Sequence, residues 1–405
     1  MTIAIVGAGP AGAALALLLA RRGVSVVLAE RQTDFAREFR GEGLLPGGVD
    51  ALQQMGLGAK LDSLPQSRVD RIEIYQEKRR LLALDIAELT GVFAGPRFVS
   101  QPALLELLVA EAARYPGFRL ERGFTVRDLL REGPRVAGVR GDTPAGAREI
   151  AADFVIGADG RASLVRKRSG LDRQREPQSF DIVWFKLPLP DFLGSGRVAR
   201  AYLGRGHFCL LFPAPDGRLQ IGWVIEKGGF GELRERGIDE WLSQLAQHVT
   251  PDLASHLERY RGALEHPFLL DVVCDHLEEW SAPGVLLLGD AAHPMSPVGA
   301  QGINIALRDA LVAANHLGPC LLAGEGPAAL DAAARRVVEE RLPEVRTIQR
   351  LQQLPPRVIF QRTRASRLLV GSLLPLLART GLAGVLFRSG FRRFALGTVD
   401  VKLRF

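Results

Sequence analysis

Two hydrophobic patterns divide the chain. At its start, the β-branched run Thr2-Ile3-Ala4-Ile5-Val6 precedes a long apolar stretch from Ala13 to Arg22, then a second apolar run from Val24 to Ala29. That order predicts strand, helix, strand. Similar runs return at Asp153-Phe154-Val155-Ile156 and at Val285-Leu286-Leu287-Leu288, the second read as a buried strand; each leads to a carboxylate beside a glycine, Asp159 and Asp290. After Asp290 a Pro/Gly loop is expected to open a helix through Ala306, Asp309, Ala310 and Ala314. Between these segments the pattern turns mostly β. Ile182 to Leu187, Val198 to Leu203, His207 to Phe212 and Leu219 to Glu226 are short apolar runs separated by Gly, Pro and Asp, and Arg71 to Ile86 should join their sheet. Phe208, Leu210 and Phe212 alternate with Cys209 and Leu211, so one set should face a pocket and the other a core.

The loops carry the chemistry. Gly7-Ala8-Gly9-Pro10-Ala11-Gly12 joins the first strand to the first helix. In that setting Gly7 permits a tight turn, Gly9 admits a pyrophosphate to the backbone, and Gly12 lets the helix pack on the strand. Glu30 closes the second strand, where a carboxylate can hydrogen-bond a ribose; Ala11 and Arg31 lie beside these positions and belong to the same expected site. The bare glycine spacing is common, but the strand–loop–helix–strand–acid order makes it specific for a dinucleotide. The second loop, from Gly289-Asp290 through Pro297, Gly299 and Gly302 to Ile303-Asn304, precedes a helix. Uncapped N–H groups and the positive end of a helix dipole suit an electron-rich ring or an anion.

Taken together, GAGPAG, GADGRASLVR from Gly157 to Arg166 and GDAAHPMSPVGAQGIN from Gly289 to Asn304 resemble the group A flavoprotein monooxygenases, the p-hydroxybenzoate hydroxylase-like enzymes. The likeness runs from Thr2 to about Leu342. It implies an α/β (α+β) fold: a Rossmann-like FAD lobe from residues 1–70, 96–178 and 270–345, an inserted, mostly antiparallel β-sheet substrate lobe from 71–95 and 179–269, and a helical segment over 346–405. It also implies that Gly7, Gly9, Gly12 and Glu30 hold the ADP half of FAD, that Arg40 reaches the pyrophosphate and nicotinamide side, and that Gln101 touches the ribityl or phosphate groups. Asp159 would join the cofactor site and Gly289-Asp290 the ribityl chain, while Pro297, Gly299 and Gly302 through Ile303 and Asn304 would face the isoalloxazine. Other readings exist: Asp159 as a helix cap, Gln101 as an ordinary helix start, Arg40 as a solvated charge, His293 as a structural residue.

The implied reaction is monooxygenation through a C4a-hydroperoxyflavin, consuming NAD(P)H and O2, with NADPH favoured by Arg37 and Arg40. The family's type enzyme holds its substrate's carboxylate with an arginine on the inserted sheet. Here Phe208-Cys209-Leu210-Leu211-Phe212-Pro213 offers no cation, and burying an unpaired carboxylate is costly. A lipophilic aromatic, quinone, quinolone or polyketide-like substrate is expected instead, in a pocket lined by Trp184, Tyr202, Phe208, Leu210, Phe212, Trp223 and Pro297. No acid–base residue is assigned; His207 and Tyr202 are candidates. A flavin-dependent halogenase is the less suitable reading, because Gly222-Trp223-Val224-Ile225-Glu226-Lys227 lacks the second tryptophan and the proline of the WxWxIP stretch. A prenyl-lipid or polyene saturase and a non-catalytic FAD-binding protein are the remaining alternatives.

Composition narrows the setting. The 405 residues are 47% hydrophobic and 24% charged, ordinary for a globular chain of more than one lobe. Cys209, Cys274 and Cys320 share no close spacing, so neither disulfides nor a metal site are expected. With the cofactor strand at the very start and no signal-peptide pattern, a cytoplasmic enzyme is expected. From Arg346 onward the chain has twelve Lys/Arg and one acid, Asp400, which exceeds the net +7 of the whole, so the basic character belongs to the tail. Its aliphatic rather than aromatic company argues against nucleic acid. It leaves two readings: short helices that close the pocket, or a peripheral membrane contact.

Overall fold

The computed structural model describes residues 1–36, 43–76, 78–87, 96–171, 180–193, 197–204, 208–360, 376, 380, 390–392 and 394–405. Three parallel strands form the centre of the first layer: Thr2–Val6 lies between Ser25–Glu30 and Phe154–Gly157. Phe118–Arg122 extends one side, and Val285–Leu287 with the short antiparallel Ser281–Ala282 extends the other. Ile3, Ile5, Val26, Leu28, Val155 and Ile156 are all buried, as expected where helices cover both faces of a parallel sheet. The Pro10–Arg21 helix packs against Gln101–Ala112 and Gln301–Ala323. Its Ala- and Leu-rich sequence lets neighbours approach closely, and ten of its twelve residues are buried.

The inserted sheet has seven strands, in the order Glu265–Leu270, Phe180–Pro188, Arg218–Glu226, Phe208–Pro213, Val198–Leu203, Arg71–Gln76, Arg79–Asp85. Arg71–Ile86 thus joins as a hairpin, with its first strand parallel to Val198–Leu203. The alternation along Phe208–Pro213 is realised. Cys209 and Leu211 face a core with Val183, Phe185, Tyr202, Ile221 and Trp223, while Phe208, Leu210 and Phe212 face the other way with Trp184, Val224 and Val298.

Three helices absent from the sequence expectation, Phe230–Arg236, Ile238–Gln247 and Pro251–Arg259, cover the first of these faces. Trp241, Leu242, Leu245, Leu253 and Leu257 are buried there, each leucine contributing about 1.5–3 kcal/mol. This corrects two pocket assignments. Trp223 stacks on Trp241 at 5.8 Å, and the Tyr202 hydroxyl bonds Thr250 at 2.7 Å, so both belong to the helix-covered face. A three-stranded antiparallel sheet, Thr125–Glu132, Arg135–Thr143 and Gly146–Ala151, was also not anticipated.

The Pro327–Phe360 helix runs unbroken across position 345, where a boundary was expected. Among the described residues no helix is long and apolar enough to cross a membrane. Most of 361–389, the apolar part of the tail read either as pocket-closing helices or as a membrane contact, lies outside the described residues, as do Arg37, Arg40 and His207. The last residues return to the first layer: Val401 is buried there, and Phe405 lies against Gly318.

Candidate functional site

The three motifs meet at the C-terminal ends of the parallel strands, where dinucleotide sites form in such sheets. Their glycines do different work. Gly7 has φ +97°, and a Cβ on it would stand 2.4 Å from the Ala158 carbonyl oxygen. A Cβ on Gly12 would stand 2.0 Å from the carbonyl oxygen of Gly7, so both glycines serve chain-on-chain packing. A Cβ on Gly9 would meet nothing within 4 Å. The surface that a pyrophosphate needs is therefore open at Gly9, at the start of a helix whose first turn has neither an acid nor a side-chain cap. Ala11 lies against Gly289 of the second loop. Glu30, 3% exposed, accepts the N–H of Ala8 at 2.9 Å and that of Gln32 at 3.0 Å. It braces the glycine loop with a carboxylate, the acceptor that a ribose hydroxyl needs. Arg31 is exposed beside it, and Gln101 occupies the first turn of its helix, half-buried.

Asp159 has a different place from the cofactor contact expected. Its Oδ1 accepts the Ser163 hydroxyl at 2.5 Å, and its Oδ2 accepts the N–H groups of Leu164 and Val165 at 2.7 and 3.1 Å. The side chain caps the Leu164–Arg168 helix, the alternative weighed from sequence. Burial pushes its pKa up against the opposing hydrogen bonds. Arg166, four percent exposed, was missed altogether. It donates to the carbonyls of Ala291 at 2.9 Å and Arg161 at 3.1 Å, tying the second and third motifs together. Arg161 in turn donates to Asp290 Oδ2 at 3.3 Å and to the Asp271 carbonyl at 3.2 Å. Asp290 is 34% exposed, so its carboxylate can be reached by a polyol.

Behind this loop lies a buried charged chain. Gly289 N–H and His293 Nε2 both meet Asp309 Oδ2, at 3.2 and 2.7 Å, and Arg341 donates to Asp309 Oδ1 at 2.8 Å. Arg341 also pairs with Glu344, which Arg308 grips with two nitrogens at 2.9 and 3.2 Å. Burial alone would raise the pKa of Asp309, but His293 and Arg341 outweigh it and hold the group below the ordinary carboxylate range. His293 lies against Trp280, buried in this chain of charges, in keeping with the structural reading taken from sequence.

The loop that follows is fastened by glutamines the sequence did not flag. Gln352 donates to the carbonyls of Ser296 and Val298 at 2.7 and 2.9 Å and accepts from Ser296 N–H at 3.2 Å, while Gln349 donates to Pro294 at 3.2 Å. Their one signal was an i, i+3 spacing on a single helix face. Gly299 has φ +79° and Ala300 φ +53°, the latter a conformation that costs a residue with a Cβ roughly 1–2 kcal/mol. A Cβ on Gly299 would strike the Phe394 ring.

The side chains of Asn304 and Ile303, in the stretch whose backbone was expected to face the isoalloxazine, turn inward. Asn304 accepts from Leu45 N–H at 2.8 Å and donates to the carbonyls of Gly43 and Ala300 at 3.1 and 2.6 Å, and Ile303 is buried in the main core. Gly302, by contrast, faces open space. It lies in the first turn of the Gln301–Ala323 helix, which has no side-chain cap. The positive end of this long helix therefore suits the N1/C2=O edge of an anionic flavin.

The face of the sheet that carries Phe208, Leu210 and Phe212 presents Phe212, stacked on Phe98 at 3.8 Å, with Trp184 edge-on at 6.1 Å. Phe98 was not anticipated. Its strand, Arg97–Val99, pairs with Gly43–Leu44 beside Ala300, and so bridges loop and sheet. Phe208, Leu210 and Pro297 are half-buried. Arg200 lies on the helix-covered face, bound to Glu73 at 3.0 Å and Asp252 at 2.8 Å. Lys186 is paired with Asp216 at 2.7 Å. Among the described residues no group of three or more His, Cys, Asp or Glu is arranged to hold a metal.

The FAD binding domain family profile matches residues 1–348. The chain is 33% identical over 408 aligned residues to the 6-methylpretetramide 4-monooxygenase of Streptomyces rimosus, covering 99% of this chain and 94% of that one. It is 28% identical to the protoasukamycin 4-monooxygenase of Streptomyces nodosus subsp. asukaensis, with 86% of each chain covered. Among solved structures, the p-nitrophenol 4-monooxygenase of Pseudomonas putida DLL-E4 shares the fold, with a TM-score of 0.78, 19% identity, and coverage of 98% of this chain and 100% of that one. The open glycine cradle, the reachable Asp290 and the uncapped helix at Gly302 fit FAD, and the chain belongs to the FAD binding domain family as a group A flavoprotein monooxygenase.

Proposed function

We propose that this monooxygenase inserts one atom of O2, by hydroxylation or epoxidation, into a neutral, lipophilic aromatic substrate of polyketide or quinone type, with NAD(P)H as reductant. The observation that carries the reading is the pocket face of the seven-stranded sheet. Phe98, Phe212, Trp184 and Val224 form an aromatic and aliphatic wall, while Arg200 is turned to the other face and Lys186 is paired. Among the described residues an ionised carboxylate on the substrate would find no unpaired cation on that face and would bear most of its desolvation cost. The two Streptomyces relatives, named for polyketide-type substrates, support the same class.

Bound FAD supplies electron transfer from the nicotinamide and activation of O2. The protein's own contribution is placement. Gly9, Glu30 and Asp290 would hold the cofactor along its length, and the backbone from Pro297 to Gly302 would lie against its ring. The apolar wall would exclude water from the reacting centre. One oxygen atom enters the product, and the other leaves as water with the two electrons of NAD(P)H. In this reading, residues 71–95 and 179–269 are the substrate lobe and the remainder up to 345 carries the cofactor.

The test is NADPH oxidation and O2 uptake by the FAD-loaded protein across a panel of neutral polycyclic phenols and quinones, with mass spectrometry under 18O2. A product heavier by one 18O atom is expected. Saturated or chlorinated product, or stimulation only by aromatic carboxylates, overturns the reading.

A further inference from the structure

On the pocket face of the seven-stranded sheet, Gln220 interrupts the apolar wall. It pairs in register with Phe212 on one neighbouring strand and Lys186 on the other, so its side chain leaves the sheet beside Phe212 and Trp184. The residue is 0% exposed, yet neither Oε1 nor Nε2 has a hydrogen-bond partner among the described residues. Two positions on, Gly222 leaves room for the Trp184 ring, which a Cβ would approach to 2.6 Å. The amide is thus held among aromatic rings with its polar atoms stripped of water and given nothing in return. Such groups are costly unless something pairs with them. A leucine or methionine would fill similar volume without that cost. What a glutamine adds is an acceptor and a donor side by side.

We propose that Gln220 is a substrate-positioning residue whose amide pairs with a neutral edge carrying a donor next to an acceptor, a ring hydroxyl beside a ring carbonyl. This inference rests on the lipophilic-substrate reading above and names the polar feature which that substrate bears. A carboxylate would not serve, because it offers acceptors only and would set its charge against Oε1. The hydroxy-ketone edge can meet both halves of the amide, its hydroxyl proton shared between the ring carbonyl and Oε1 while the carbonyl accepts from Nε2, and so fixes which ring carbon is presented for oxygenation. The half-buried Phe98 would lie against one ring face, while Gln220 would set the ring's rotation in the pocket.

The test uses the FAD-loaded protein titrated with 1-hydroxyanthraquinone, 1-methoxyanthraquinone and anthracene, followed by flavin absorbance, for the wild type and for Gln220→Leu and Gln220→Met. The wild type should bind the hydroxy compound at least about 10-fold tighter than the other two. In both variants that preference should collapse, with hydroxyanthraquinone binding weakened about 10–100-fold and anthracene binding unchanged or tighter. Without ligand, FAD retention should be unaltered and the melting temperature no lower. A lower melting temperature with the preference intact would make the amide structural and overturn the proposal, and loss of FAD from the variants would assign it to the cofactor instead. Equal wild-type binding of all three rings would overturn the role of Gln220 while leaving the lipophilic reading in place. Binding of none of them would overturn both.

Discussion

Residues that look equivalent in the glycine motif separate once their surroundings are known. Gly12→Ala pushes a methyl to 2.0 Å from the Gly7 carbonyl, so apoprotein stability should fall by about 1–3 kcal/mol in a denaturant titration. Gly9 has φ −71°, which any residue adopts, and nothing stands where its Cβ would go. Gly9→Ala should leave apoprotein stability within about 0.5 kcal/mol while weakening FAD binding roughly 10-fold or more, read by flavin fluorescence on dilution. Equal effects of the two substitutions would refute this division of labour. Asp290→Ala should give a folded protein that loses FAD on gel filtration; retention of full yellow colour would remove Asp290 from the cofactor site. The glycine and acid positions were legible in sequence because they follow from local backbone geometry. The bracing by Asn304 was not, since Leu45 and Gly43 become its partners only in the fold.

At the scale of elements, the chain's ion-paired spine joins the Gln301–Ala323 and Pro327–Phe360 helices through Arg308, Asp309, Arg341 and Glu344, all buried. Removing one member strands the others without a counter-charge. Glu344→Ala should therefore cost about 3–5 kcal/mol, seen as a large drop in melting temperature. Burial alone would raise both carboxyls, but the arginines, with His293 at Asp309, hold both pKa values below the ordinary range. A carboxyl depressed in the folded state adds stability that is fully present above its unfolded value near pH 4 and is lost as pH falls through the lower folded value. Melting temperature should thus be insensitive to this spine above about pH 5 and decline below about pH 4. Among variants that remain folded, Asp309→Asn should flatten that acid limb. The covering helices were missed for a related reason. Trp241, Leu242 and Leu245 have helical spacing, but they follow a run of strands and their buried face is defined only by the sheet beneath.

Across the whole molecule, the chain's end reaches back to the cofactor loop. Thr398 N–H donates to Glu344 at 2.9 Å, and the Leu403 N–H donates to Gln54 at 2.7 Å. Arg308 reaches the Val399 carbonyl, and Glu344 connects through Arg341 and Asp309 to Gly289. Deleting residues 398–405 should therefore lower the melting temperature and speed FAD release together, because both depend on the same spine. Loss of one without the other would show that tail and loop are independent. From sequence, the tail stood out only by its charge, and its docking partners lie in the first three hundred and fifty residues.

What the sequence determined by itself was the local chemistry: strand–loop–helix junctions with glycine where the backbone turns sharply or must stay bare, and an alternation that sorts each strand's two faces. These depend on a residue and its near neighbours, so they survive reading in one dimension. Tertiary structure decided which face meets what. It turned Tyr202 and Trp223 under helices, carried Phe98 onto Phe212, and left Gln220 buried beside these rings with no hydrogen-bond partner among the described residues. Each of those outcomes depends on contacts between segments far apart in the chain, where burial and the competition for hydrogen-bond partners, rather than local propensity, determine a side chain's role.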